Sequence, residues 1–113
     1  MKVVCITSDF TQDVIKIIKN IPSGKVLTYG RIAKLAGNPQ AARQVSWLLH
    51  SSTKKYNLPW HRVINSQGQI SMKSFDDREH QKHLLEKEGV AFRDNYKIDL
   101  KRFLWEIDSI EHL

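Results

Sequence analysis

One cysteine in 113 residues excludes an intramolecular disulfide and suits a reducing compartment. That cysteine, Cys5, lies in an apolar run, where an inert, half-buried thiol is the plain reading. No apolar run approaches the ~18 residues needed to cross a bilayer. Met1 to Ile6 lacks the length and the small-residue cleavage site of a secretory signal. Acidic residues are missing altogether from Val14 to Phe75, a stretch that holds ten cations: Lys16, Lys19, Lys25, Arg31, Lys34, Arg43, Lys54, Lys55, Arg62 and Lys73. The remainder carries eight Lys/Arg against twelve Asp/Glu, so the net charge of +6 understates the asymmetry. A basic segment this long points to a polyanionic partner, whose condensed counterions are released on binding. A generally basic protein would show the same charge, so charge alone does not name DNA. Repeats, low-complexity segments and linkers are also lacking. With 41% hydrophobic residues the chain reads as one small domain, 1–113, with room for a single core and none for a separate catalytic domain.

What is present is a run of short, well-punctuated elements. Asp9 reads as the N-cap of a first helix whose inward face is Phe10, Val14, Ile17, Ile18 and Ile21, stopped by Pro22-Ser23-Gly24. After a short extended link, Thr28 caps a second helix facing inward through Ile32, Leu35 and Ala36, and Gly37 closes it. Asn38-Pro39 reads as the N-cap and first position of a third helix, with Ala41, Val45, Leu48 and Leu49 on one stripe and Arg43, Ser46, Trp47 and His50 on another. Two short helices about a tight glycine turn predict a helix-turn-helix. Ser51 to Leu58 reads as a polar loop, Trp60 to Ile64 as a short strand, and Gln69-Ile70-Ser71 as its return across the turn Asn65-Ser66-Gln67-Gly68. Asp76 and Asp77 start a fourth helix that runs to Glu88 and stops at Gly89. Val90 to Phe92 and Tyr96 to Ile98 follow as extended pieces, before a basic-aromatic tail to Trp105. Glu79, His80 and His83 are the best metal candidates, but no cysteine or distal histidine completes four ligands, so neither metal nor cofactor is expected.

Pro59-Trp60-His61-Arg62-Val63 resembles the Pro-Cys-His-Arg-Val motif of the O6-alkylguanine-DNA alkyltransferases, with an indole where the alkyl-accepting thiol stands. Three further segments resemble that family in the same order. They are Ile21 to Val26 with Thr28-Tyr29-Gly30, Leu35 to Pro39 with Ala42-Arg43-Gln44-Val45, and Leu84 to Gly89. The resemblance spans about residues 10–105 and is to the alkyltransferase-like group, which binds the same lesions without repairing them. It implies a mainly α fold with a short β-hairpin, a winged-helix-like helix-turn-helix DNA-binding domain.

The resemblance also implies site residues. Ala41, Ala42, Arg43 and Ser46 would meet the minor groove, the alanines allowing close approach and Arg43 filling the stack vacated by a flipped nucleotide. Tyr29 would turn the nucleotide's phosphate, although a helix-start tyrosine can equally be a core staple. Trp60, Val63, Lys73 and Ser74 would form the lesion pocket with Tyr29, the carbonyls of Trp60 and Val63 facing the guanine amino group. Lys73 stands where related proteins often carry arginine. His61, Asn65 and Glu88 would be remnants of the thiol-activating network, now structural. Arg62 fits either backbone carbonyls or DNA. Trp47 departs from a glycine-rich family position and either widens the contact or packs under a loop. A core aromatic remains the bland account of Trp60.

Three functions follow for comparison. The first is a non-enzymatic binder of O6-alkylguanine in double-stranded DNA that recruits nucleotide-excision-repair damage-recognition proteins, monomeric and away from membranes, in the cytoplasm with the nucleoid or in a eukaryotic nucleus. The second is an active transferase, for which Cys5 would be the only thiol and has no matched base. The third is a sequence-specific helix-turn-helix regulator, supported by charge and helix pattern but not by Pro59 to Val63.

Overall fold

A computed structural model describes residues 9–110 and 113; the reading of Cys5 lies outside them. Helix α1, Asp9–Lys19, buries Val14, Ile17 and Ile18 completely, and Ile21 follows at 1% exposure. Each such aliphatic side chain contributes about 1.5–3 kcal/mol of burial free energy. Asn20 Nδ2 donates to the Lys16 carbonyl at 2.7 Å and so satisfies one of the helix's last acceptors. The chain then turns through Gly24, whose φ of +86° disfavours any other residue. A side chain there would also come within 3.2 Å of the Glu88 carbonyl.

Strand β1, Leu27–Thr28, leads straight into α2, Tyr29–Leu35, capped as expected by Thr28 Oγ1 accepting from the Arg31 N–H at 3.1 Å. Its fully buried residues are Ile32 and Ala33, while Leu35 and Ala36 are half-buried against the same core. Gly37 at φ +97° closes the helix. Helix α3, Ala42–Tyr56, departs from expectation at both ends. Asn38-Pro39 does not begin it. The Asn38 side chain instead accepts from the Gln40 N–H at 3.3 Å and its carbonyl from the Ala41 N–H at 3.1 Å, forming a turn that spends the cap before the helix starts. At the far end Ser51 to Tyr56 is helix rather than loop. Nothing between Ala42 and Tyr56 breaks a helix, the Thr53 hydroxyl folds back onto the Leu49 carbonyl, and Asn57 ends the run at φ +53°.

Trp60–Arg62 is a 3-10 turn, and only Val63–Ile64 is strand (β2). Its partner is not Gln69 to Ser71 but β1, in parallel, with Leu27 opposite Val63 and Thr28 opposite Ile64. All four residues are buried, and such a pair carries no alternation for a sequence reading to follow. Asn65 Oδ1 accepts from the Gln67 and Gln69 N–H groups at 3.0 and 2.9 Å, closing that turn on itself. Helix α4, Phe75–Lys87, is capped by Ser74 and followed by Gly89 at φ +95°. The short hairpin of the fold lies beyond it, β3 (Phe92–Arg93) against β4 (Lys97–Ile98), antiparallel. Asp99 caps α5, Leu100–Phe103. Val26 then holds the segment after α5 on both sides. Its N–H donates to the Phe103 carbonyl and its carbonyl accepts from Trp105, each at 2.9 Å.

The buried side chains form two clusters. One joins α1, α2, α3 and Ile107, and the other gathers Val26, Ile64, Ile70, Leu85, Val90, Ile98 and Phe103 around the α4–hairpin end. Between them runs the β1–β2 pair, which delivers Tyr29 and the Trp60 turn to one cleft. No described helix is long and apolar enough to cross a membrane.

Candidate nucleic-acid interface

A cavity of about 310 Å³ opens where α2, α3 and α4 meet, within the ~300–1,000 Å³ range of small-molecule sites. Tyr29 stands on one side of it. Ser46, Leu49, His50 and Thr53 of α3 form a second wall, and Asp77, His80 and Gln81 of α4 a third. Trp60 and Val63, at the 3-10 turn and β2, also line it, with Met72 at the loop before α4. Trp60 is half-buried and also packs on the α1–α3 core, so its structural and cavity-lining positions coincide. The His80 ring lies over it, tilted by 35° with centroids 5.7 Å apart, and the His61 ring meets it edge-on at 6.2 Å.

Burial pushes the Tyr29 phenol above its ordinary pKa, against the opposing pull of the Ser71 and Ser46 hydroxyls beside it. It therefore remains a neutral hydroxyl at physiological pH, able to donate to an anion.

The 3-10 turn that presents Trp60 is fixed from behind. Gln81, only 3% exposed, donates to the carbonyls of His61 and Val63 at 3.1 Å each and so ties α4 to the turn. Glu88, the C-cap of α4, gathers four nitrogens from three residues. Arg62 Nη2 donates to Oε2 at 2.7 Å and Arg62 Nε lies between the two carboxylate oxygens. The Gly24 N–H donates to Oε1 at 3.0 Å, and His61 Nε2 pairs with Oε2 at 2.7 Å. Burial pushes the Glu88 carboxyl up, but Arg62, the Gly24 N–H and His61 together outweigh it and hold it at about 2. The remaining Arg62 nitrogen, Nη1, donates to the Ile21 carbonyl at 2.8 Å, so the guanidinium is engaged by the fold. Asn65 does not join this network, since its side chain is used in its own turn.

The other residues singled out in the sequence separate. Arg43 is exposed, Ala42 half-buried beside it, and Ala41 is buried at 8% in the core just before α3. Lys73 is exposed and outside the cavity lining. Its carbonyl, like that of Met72, accepts from Arg78 Nη1, at 2.9 and 3.0 Å, so Arg78 pins the loop that flanks the cavity. Ser74 serves as the α4 cap, its hydroxyl facing the Asp77 N–H at 3.5 Å. Trp47 packs under nothing and is 70% exposed. Of the metal candidates, His80 turns to Trp60 while Glu79 accepts from the Tyr96 hydroxyl.

Leu49 and His50 fall on stripes of the expected third helix without being marked as lining, and Thr53 falls in the segment expected to be loop. Ser46, Leu49 and Thr53 recur at i, i+3 and i+7 and would have declared a common face. Gln81 has no local signal, because its partners are the His61 and Val63 carbonyls, which only the folded chain brings near, whereas Arg78 reaches back just five and six residues, to Lys73 and Met72.

Comparison with known proteins matches this arrangement. Residues 9–90 match the family described as "6-O-methylguanine DNA methyltransferase, DNA binding domain". The "DNA base-flipping protein" of Escherichia coli (strain K12) is 46% identical over 96 residues, covering 85% of this chain and 74% of that protein. "Alkyltransferase-like protein 1" of Schizosaccharomyces pombe is 40% identical over 103 residues, covering 87% and 95%. The crystal structure of S. pombe Atl1 in complex with damaged DNA containing O6-carboxymethylguanine superposes with a TM-score of 0.78 at 38% identity, over 88% of this chain and 96% of that one. A helix-turn-helix beside a cleft lined in part by an indole, together with these matches, places the chain in the family of the 6-O-methylguanine DNA methyltransferase DNA-binding domain, within its alkyltransferase-like group.

Proposed function

We propose that this protein binds O6-alkylguanine in double-stranded DNA from the minor groove, turns the damaged nucleotide into the Trp60 cavity, transfers no alkyl group, and leaves the marked site to nucleotide excision repair. The observation that carries this is the indole of Trp60 in the lining of a cleft of about 310 Å³, within a pentapeptide that resembles the family's thiol motif. An indole nitrogen has its lone pair in the ring and cannot accept an alkyl group. It offers a flat apolar face to a base instead.

A modified O6 is inaccessible inside a duplex, so recognition requires extrusion of the nucleotide. Arg43, exposed near the start of α3, is free to enter the stack it vacates. Its planar guanidinium can both stack and hydrogen-bond to an orphaned base. The neutral Tyr29 hydroxyl can donate to the displaced phosphate. Trp60 takes the base face. The carbonyls of Trp60 and Val63 each hold one hydrogen bond already, from the Val63 N–H and Gln81, and a carbonyl retains a second lone pair for the guanine amino group. His61, which would activate a thiol, is occupied by Glu88. A protein that binds without chemistry cannot itself remove the lesion, which is why damage-recognition partners belong to the proposal.

The test is incubation with duplex DNA carrying radiolabelled O6-methylguanine, alongside binding to the matched guanine duplex. Tighter binding to the lesion with no label on protein is expected. Stoichiometric transfer to any residue would end the non-enzymatic assignment, and equal affinities would end the lesion assignment.

A further inference from the structure

Trp47 has the largest exposure of any large hydrophobic side chain among the described residues, at 70%. It contributes little to the core, yet it shares the outer stripe of α3 with Arg43 and Lys54, all exposed and spaced i, i+4 and i+11. Beside it runs a shallow groove walled by Asn38, Gln40, Ala41, Arg43, Gln44 and Trp47. The groove offers side-chain amides, a guanidinium and an indole face, and no carboxylate. That is the chemistry of a sugar–phosphate backbone, with apolar deoxyribose against the ring and phosphate oxygens toward the donors.

Its position around the helix says which strand. At about 100° per residue, Ser46 lies roughly 60° to one side of Arg43, toward the Trp60 cavity. Trp47 lies about 40° and Gln44 about 100° to the other side. Arg43 thus divides two concave surfaces. A nucleotide leaving the duplex on the cavity side places its own strand there, and the strand left behind faces the opposite side. Along the axis Trp47 is about 6 Å from Arg43, within two nucleotides at roughly 3.4 Å per strand step. We propose that the Asn38–Trp47 groove holds the backbone of the strand opposite the lesion, with Trp47 packed on its sugars. This rests on the base-flipping reading above for which strand is which, and extends it to the undamaged strand.

The experiment measures binding by anisotropy for wild type, Trp47→Ala and Trp60→Ala. The probes are an O6-methylguanine duplex, the matched guanine duplex, and the lesion duplex lacking the nucleotide opposite the lesion and two on each side. Trp47→Ala should weaken both continuous duplexes by about fivefold, the lower end of an aromatic contact to nucleic acid, and leave the gapped duplex nearly unaffected. Trp60→Ala should lose affinity for the lesion whether or not the gap is present. Gln44→Ala, on the same groove wall, should follow Trp47→Ala at about twofold, and an unchanged melting temperature for both groove variants assigns the losses to contact. An equal loss on the gapped duplex would put Trp47 on the lesion strand. No loss on any duplex would give Trp47 to a protein partner. Either result overturns the assignment. If wild type fails to distinguish lesion from guanine, the lesion reading falls, while the gap dependence of Trp47→Ala still decides whether this groove holds the opposite strand.

Discussion

The end of α4 and the outer face of α3 use charged residues in opposite ways. Around Glu88 each polar group has a partner inside the chain: Arg62 spends its donors on Glu88 and the Ile21 carbonyl, and His61 and the Gly24 N–H close the set. Along α3, Arg43, Trp47, His50 and Lys54 project into solvent. Both regions lie in or beside motifs of the family, and both are rich in Arg and His. The first holds the Trp60 turn in place, and the second is left for something outside the molecule. A motif names residue types, but only the accounting of partners separates a scaffold from a contact surface.

The largest effect should come from breaking the saturated region. Glu88→Ala leaves Arg62, His61 and the Gly24 N–H without their acceptor and should cost about 3 kcal/mol of stability, measured by urea unfolding. A loss below about 1 kcal/mol, the value of an exposed pair, would erase the contrast between the two regions.

Arg43→Ala should do the reverse. It should weaken lesion binding by about 1–3 kcal/mol while the urea midpoint stays put. Arg43→Lys should recover little, because stacking and paired hydrogen bonds are lost with the guanidinium. Full recovery would make Arg43 an ordinary phosphate contact.

Trp60 sits between the regions, packed on the core and lining the cavity. Trp60→Ala should shrink the affinity ratio between O6-methylguanine and guanine duplexes by about 1–2 kcal/mol, with the salt dependence nearly unchanged, since the basic residues supply that slope. A loss shared equally by both duplexes would assign Trp60 to the core alone.

The smallest expected effect is on pH. Glu88 titrates at about 2 in the folded chain against an ordinary 4.5. Its ionised contacts therefore stabilise fully above 4.5 and are lost as pH falls through that value toward 2. Screening by solvent at this half-buried site leaves roughly 1–2 kcal/mol of the linkage. Urea midpoints from pH 7 to 3 should fall more steeply for wild type than for Glu88→Gln, and parallel curves would refute the assignment.

What the sequence made legible was local. Thr28, Gly37 and Gly89 act through their own backbone and neighbours, so the helix ends they mark are where the sequence placed them. Pro59 to Val63 was legible because a motif of five adjacent residues is read from residue types alone. Asn38-Pro39 misled because its cap hydrogen bond closes a turn, a choice made by the following three residues. Ser51 to Leu58 reads as loop by its polar residues, although nothing in it ahead of Asn57 breaks a helix. Pairing of Val63–Ile64 with Leu27–Thr28 and the engagement of Gln81 were hidden because both depend on segments far apart in the chain.

The clamp on Val26 has a further consequence, for the order of assembly. Val26 is bonded to Phe103 and Trp105, while the next two residues pair with Val63 and Ile64. Tyr29 follows directly. Its placement therefore waits on two loop closures of high sequence separation, which raise contact order and slow folding. The cleft should be among the last features to mature, after α1 to α3 have collapsed on their local contacts. A chain halted or trimmed just ahead of residue 103 should keep α1 to α4 and every Lys and Arg while losing Glu106, Asp108 and Glu111, hold nonspecific DNA, and lack a settled phenol with which to question a base.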